Sequence, residues 1–346
     1  MNTLCYIGSK KKLVDTIIST IIDFVSVENT KDKKDLIVAD LFAGSGVVSY
    51  NLCKQDYFKH VVSNDLEYYA YIINNALLNC AYSTKLEEII KNLNLMADVS
   101  SNVGNQYITN AYTDNRPFFS NDNGRRIDVA RTEIDELFSN NFITKNEHCF
   151  LNASIIVSAD AVSNTAAVYT SFLKYATPES KKKFVVTPIH RDYKTTENQH
   201  VVSNTFAELL NEKYDIAYID PPYNKRQYGA NYFPLNYIAM YNQTIQVVGK
   251  TGLIPYKRSD FCSKKKVKQA FDNLIKKTIE CGAKFLFISY SNEGILSFDK
   301  LKEICDNYGE THVIEMEHKK YQNKFTNDKQ VSEFLFCIRI IFEQYS

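Results

Sequence analysis

Leu36-Ile-Val-Ala-Asp-Leu-Phe42, followed at once by Ala43-Gly44-Ser45-Gly46, is the stretch whose reading decides the fold. A nearly uninterrupted apolar run reads as a strand buried on both faces, as in a parallel sheet. The glycines mark a turn where backbone can approach a ligand and a helix start offers free N–H groups, with Ser45 placed to cap the helix. His60-Val-Val-Ser-Asn64 reads as a second strand ending at Asp65, and residues 66–80 as a helix. Together they form a strand–helix–strand unit opening a doubly wound α/β fold. An acid about 20 residues past such a turn is placed to hold ribose hydroxyls. Alone, the pattern fits an adenosine-containing cofactor and a purely structural turn equally well. Ser49 stands where a dinucleotide fingerprint has its third glycine, which weakens a nicotinamide reading.

A second block of the same character lies downstream. Tyr214-Asp-Ile-Ala-Tyr-Ile219 and Lys284-Phe-Leu-Phe-Ile-Ser289 read as buried strands. Between them, apolar residues at 267, 271, 274, 275 and 279 give a helix over 267–281, stopped by Gly282. Residues 312–316 and 333–341 are expected to be the last two strands, joined by a polar stretch. The intervening residues 96–185 change character: they are rich in Asn, Ser and Thr, with helical patches at 125–138 and 148–160 and a Lys181-Lys182-Lys183 cluster. They read as an insertion into the α/β domain.

Composition narrows the class. The chain has 346 residues, enough for two domains or one with an insertion, and 45% hydrophobic residues exclude disorder. Lys and Arg total 41 against 40 Asp and Glu, so a uniformly basic nucleic-acid coat is excluded while local basic patches are not. The eight cysteines form no CxxC pair and no Cys/His cluster, so neither a metal site nor a disulfide framework is expected. Lys10-Lys11-Lys12 precedes an apolar run from Ile17 to Val27, but Asp15 and Asp23 interrupt it and its spacing is helical. It reads as an amphipathic helix rather than a targeting segment, and no stretch is long enough to span a bilayer. A cytoplasmic protein with no membrane partner is expected.

Asp220-Pro221-Pro222-Tyr223 follows directly on the strand ending at Ile219. Ligands bind at strand C-termini in open α/β sheets. Two prolines remove two N–H donors, so the local polar surface consists of acceptors beside an aromatic ring. That suits a planar substrate carrying an NH₂ group: the ring stacks on Tyr223 while the amine donates to Asp220 and the Pro221 carbonyl.

With Phe42-x-Gly44-x-Gly46 upstream, this motif resembles those of the S-adenosylmethionine-dependent DNA adenine amino-methyltransferases. Tyr6-Ile-Gly8-Ser-Lys10, Asn64-Asp-Leu-Glu67 and Ser289-Tyr-Ser-Asn-Glu-Gly294 are similar to further motifs of the class typified by bacterial DNA adenine methylase, and they occur in that class's order. Residues 118–134 and 164–174 resemble the intervening segments of type IIS modification methyltransferases.

The resemblance implies a Rossmann-like methyltransferase fold over 1–95 and 186–346, with a largely helical target-recognition segment at 96–185. It implies Tyr6, Gly8 and Lys10 at the methionine end of S-adenosylmethionine, and Asp40, Phe42, Gly44 and Gly46 at the cofactor turn. Asp65 would hold the ribose, and Asn204, with Asp192 competing, the cofactor adenine. Asp220, Pro221, Pro222 and Tyr223 would be catalytic. Double-stranded DNA is the implied partner, its flipped nucleotide gripped by Lys225, Arg226 and Tyr228, with Lys181, Lys182 and Lys183 as further contacts. A companion restriction endonuclease and a monomeric or dimeric state complete the expectation. Competing readings are an RNA adenine methyltransferase and a catalytically silent DNA-binding subunit; a nicotinamide dehydrogenase fits poorly.

Overall fold

The computed structural model describes residues 4, 8–28, 32–100, 104–192, 199–317 and 332–341. In chain order it runs α1 (Val14–Glu28), β1 (Ile37–Asp40), α2 (Val47–Cys53), β2 (His60–Asn64), α3 (Tyr68–Asn79) and α4 (Thr84–Val99). Next come α5 (Tyr107–Tyr112), α6 (Asn121–Ser139), α7 (Lys145–Asp160), β3 (Val201–Ser203), β4 (Ile216–Ile219), α8 (Tyr228–Asn231) and α9 (Phe233–Met240). The chain closes with α10 (Val267–Glu280), β5 (Phe285–Ser291), α11 (Phe298–Asp306), β6 (Gly309–Glu317) and β7 (Ser332–Ile340).

The seven strands form one sheet in the order β3-β2-β1-β4-β5-β7-β6. The first five are parallel, while β7 runs antiparallel between β5 and β6. Strand periodicity explains why the strands read as continuous apolar runs. Val38, Ile216, Tyr218, Phe285, Phe287, Leu335 and Cys337 pack under α1 and α2 on one face. Ala39, Leu41, Ala217, Ile219, Leu286, Ile288 and Phe336 pack under α10 and α11 on the other. On α10, Val267, Phe271, Leu274 and Ile275 supply the apolar stripe, each worth about 1.5–3 kcal/mol when buried. Gly282, at φ +103°, ends that helix in the left-handed region a side chain would disfavour.

The segment 96–185 joins α3 and α9 in a third apolar core. There α7 is buried from Cys149 to Ala159, against α3 on one side and α6 on another. A capping box, Thr144 with Glu147, starts α7. The expected cap at Ser45 is not found: Gly46 (φ +76°) holds the N-cap position of α2, no side chain caps it, and Ser45 falls one residue too early. No helix among the described residues is long and apolar enough to cross a membrane.

Candidate active site

Strand order reverses between β1 and β4, and the crevice opens at their C-terminal ends, where such sheets bind ligands. Register pairs Asp40 with Tyr218, and the Leu41 N–H donates to the Tyr218 carbonyl at 3.0 Å. The glycine turn and the Asp-Pro-Pro-Tyr segment therefore emerge side by side. Between them lies a cleft of about 740 Å³, its open mouth included. Phe42, Asp65, Glu67, Thr205, Phe206, Asp220, Pro221, Pro222, Tyr223 and Tyr228 are among its lining residues.

The turn is held from behind. Gly44 (φ +49°) donates its N–H to Asp65 Oδ2 at 2.7 Å, and Glu67 N–H donates to Oδ1 at 2.8 Å. Gly46 turns at φ +76°, which disfavours any side chain, and a Cβ there would also press on Leu77 Cδ1 at 2.6 Å and Asn74 Oδ1 at 3.0 Å. Ser49, in the third-glycine place, donates to Asp40 Oδ2 at 2.7 Å and meets Ser63 at 3.0 Å. Asp40 thus belongs to the buried floor and not to the cleft wall. Burial pushes its carboxyl up to about 7, with the Ser49 hydrogen bond opposing. Burial likewise takes Asp65 to about 6 against its backbone N–H bonds.

Lys10 is buried beside the Asp220–Tyr223 segment, its Nζ 3.0 Å from Asp220 Oδ1 and 3.5 Å from Glu333 Oε2 on β7. Burial works against its charge, but Asp220 and Glu333 outweigh that and hold the ammonium above its ordinary value. Burial raises Asp220 to about 6, with Lys10 pulling it down and Glu333 pushing it up. Gly8 (φ +77°) lines the cleft with the Tyr223 and Tyr228 hydroxyls beside it. The Tyr223 backbone is pinned where its carbonyl accepts from Ile295 N–H at 2.9 Å, and its ring packs edge-on against Tyr290.

Tyr6 lies outside the described residues. Neither candidate for the cofactor adenine lines the cleft. Asn204 donates its amide to the Asp65 and Leu66 carbonyls at 2.9 and 3.0 Å, bracing the acidic turn. Asp192 pairs with Lys54 at 3.2 Å. Thr205 and Phe206, next along the chain, face the space instead. Lys225 and Arg226 are exposed beside the cleft-lining Tyr228, on a loop clasped to residue 259 by Gln227 through two hydrogen bonds of 2.8 and 3.0 Å. Lys181, Lys182 and Lys183 are exposed on the α4–α6 side, where Lys183 pairs with Asp98.

Two acids escaped the sequence reading. Glu67 stands two residues past Asp65 in the same motif, buried, and accepts from Asn236 at 2.6 Å. Burial, then Asp65, raises it to about 7, with Asn236 opposing. Glu333, more than 300 residues from Lys10, has no local signal at all. The cleft wall itself carries Asp65, Glu67, Glu208 and Asp220 and no lysine or arginine among its described lining residues, an acidic lining that favours a cationic ligand. No cluster of His, Cys, Asp or Glu among the described residues is placed to hold a metal.

A family model described as D12 class N6 adenine-specific DNA methyltransferase matches residues 6–304. The type II methyltransferase M.CviAII of Paramecium bursaria Chlorella virus 1 is 38% identical over 98% of this chain and 99% of its own length. M.NlaIII of Neisseria lactamica, also a type II methyltransferase, is 34% identical, over 94% of each chain. M.FokI of Planomicrobium okeanokoites is 32% identical over 96% of this chain and 52% of its own.

Proposed function

This chain belongs to the D12 class of N6 adenine-specific DNA methyltransferases, and from that premise we propose that it methylates a specific duplex site using S-adenosylmethionine, as the modification enzyme of a restriction–modification pair. The observation that carries this reading is Asp220 at the cleft wall alongside the glycine turn, held by a buried lysine.

The residues suit the donor: its net positive charge meets an acid-rich crevice, and Gly8, in the cleft wall, leaves space beside the Tyr223 and Tyr228 hydroxyls that a Cβ would restrict. When bound, S-adenosylmethionine supplies an electrophilic methyl on a sulfonium. Gly8 and Lys10, with Tyr6, are assigned to the methionine end, Asp65 to the ribose, and Thr205 with Phe206 to the adenine. Asn204 positions Asp65.

A duplex adenine must leave its stack to reach the cleft, and Tyr223 offers it a ring on which to lie. Its amine is a poor nucleophile because the lone pair is delocalised. Asp220 and the Pro221 carbonyl accept its two hydrogens, and these bonds strengthen as positive charge develops on nitrogen. Stabilisation that grows toward the transition state raises the rate. Pro222 denies the loop a competing donor. Lys10 keeps Asp220 ionised, and Asp220 is the nearest acceptor for the proton that the alkylated amine sheds. Lys225, Arg226 and Tyr228 hold the backbone of the extruded nucleotide, with Lys181 and Lys182 further out. Residues 96–185 choose the target, and the protein acts in the cytoplasm as a monomer or dimer.

The test is transfer of labelled methyl from S-adenosylmethionine to duplex DNA, with structured RNA alongside. Label in duplex, lost in Asp220→Ala, is expected. Label in RNA and none in duplex overturns the substrate assignment.

A further inference from the structure

Within the middle segment one loop is built unlike its surroundings. Residues 164–177 leave and rejoin the helical layer at one point, closed by Asn164. Its amide donates to the Leu173 carbonyl at 2.9 Å and to Pro117 at 3.1 Å, and its Oδ1 accepts from Thr177 N–H at 3.2 Å. Leu173 N–H returns to the Asn164 carbonyl at 3.0 Å. Such a compact closed loop, packed by its own side chains, is an Ω-loop, a form often functional.

Its inward residues fasten it to the catalytic side. Tyr169 is fully buried, donates its hydroxyl to Asp160 at 2.8 Å, and gives its backbone N–H to the Asn231 carbonyl at 2.8 Å, just past the catalytic loop. Its ring lies 6.3 Å from that of Tyr232, which stacks at 6.0 Å on Tyr228 in the cleft wall. Phe172 packs edge-on against Phe118 at 5.4 Å. A run of rings thus ties the loop to the cleft.

Its outward residues have the opposite character. Thr170, Ser171, Lys174 and Tyr175 are exposed, Tyr175 at 86%, and none has a partner among the described residues. Residues 164–177 contain no carboxylate, while Lys181 and Lys182 are exposed just beyond. Ala167 sits at φ +68°, a strained conformation for a residue with a side chain, of the kind that persists where surroundings impose it. Unengaged hydroxyls, an ammonium and an aromatic ring on a hydrogen-bonded loop without carboxylates match what reads base edges in a DNA groove.

We propose that residues 164–177 are the base-reading loop of this enzyme, entering a groove of duplex DNA beside the flipped adenine with Thr170, Ser171, Lys174 and Tyr175 meeting base edges. This rests on the duplex-DNA reading above and narrows target choice to one loop. The experiment first maps the adenines that wild-type protein methylates in a genomic DNA of known sequence. It then compares kcat/KM on that target and on duplexes with one base pair altered, for Thr170→Ala, Ser171→Ala and Tyr175→Ala. At least one variant loses about 10- to 100-fold on the target and discriminates less at one base position. Donor affinity without DNA and the thermal midpoint stay unchanged, which a structural role would not allow. In wild type, amide exchange over 165–176 slows when target duplex is added. Three variants within twofold of wild type in rate and discrimination, or exchange that the duplex leaves unchanged, overturns the proposal. A wild-type protein that methylates no duplex at all instead removes the reading beneath it.

Discussion

Replacing Lys10 by methionine keeps most of the side-chain volume but removes the charge that faces Asp220 and Glu333. With Nζ 3.0 Å from Asp220 Oδ1, an effective dielectric of about 20 puts the gross attraction at about 5 kcal/mol, equivalent to roughly 3–4 pKa units. Water entry and relaxation return part of this, leaving an expected rise of about 2 units. In the native protein Asp220 titrates at about 6, so methylation requiring its ionised form is lost as pH falls through 6. Without Lys10, burial and Glu333 act unopposed, and the acid limb of the kcat/KM profile moves up to about 8. At pH 7.5 ionisation alone then lowers the rate roughly fourfold, a deficit that higher pH recovers. The assay is labelled methyl transfer to duplex DNA from pH 5 to 9.5. An acid limb that stays at 6 in Lys10→Met refutes the idea that this lysine holds Asp220 ionised.

A cationic donor favours the ionised forms of Asp65 and Glu67, so binding S-adenosylmethionine between pH 6 and 7 releases protons, and neutral S-adenosylhomocysteine releases fewer; calorimetry in buffers of different ionisation enthalpy reads the difference. Gly46→Ala, at φ +76° and against Leu77, destabilises the fold by about 2–4 kcal/mol, whereas Gly249→Ala, equally left-handed but in open space, loses only about 1–2, as denaturant midpoints will show. Asp40 binds a proton more tightly folded than unfolded, so its contribution is full below pH 4 and lost as pH rises through about 7. Asp40→Asn keeps an acceptor for Ser49, raises the thermal midpoint at pH 8 and flattens its pH dependence; a lower midpoint at pH 8 contradicts this.

What was legible followed from local physics. The run at 36–42 needs no partner to declare itself a strand buried on both faces, and Gly44, Gly46 and Asp220-Pro221-Pro222-Tyr223 announce backbone constraint in their residue types. Sheet order follows from such signals only in part: nothing in residues 332–340 says that they slip between β5 and β6. Pairings across the whole chain, such as Lys10 with Glu333, exist only once the sheet has formed. The shift from Asn204 to Thr205 and Phe206 at the cleft is a matter of one or two residues, because the chain has left β3 at Ser203 and no strand alternation or other local property marks which side chains of this connection face the space. Ser45 failed as a cap for a related reason: the left-handed turn at Gly46 delays the helix start beyond its reach.

Single-turnover transfer by protein preloaded with S-adenosylmethionine tests the acceptor pair at Asp220 and Pro221 most directly, with the methylated nucleosides of a digested duplex resolved by mass. Wild type should yield N6-methyladenine. Asp220→Ala should form it about 10²- to 10³-fold more slowly while still binding the donor. Methyl groups on another base, or an undiminished rate in Asp220→Ala, would contradict the account.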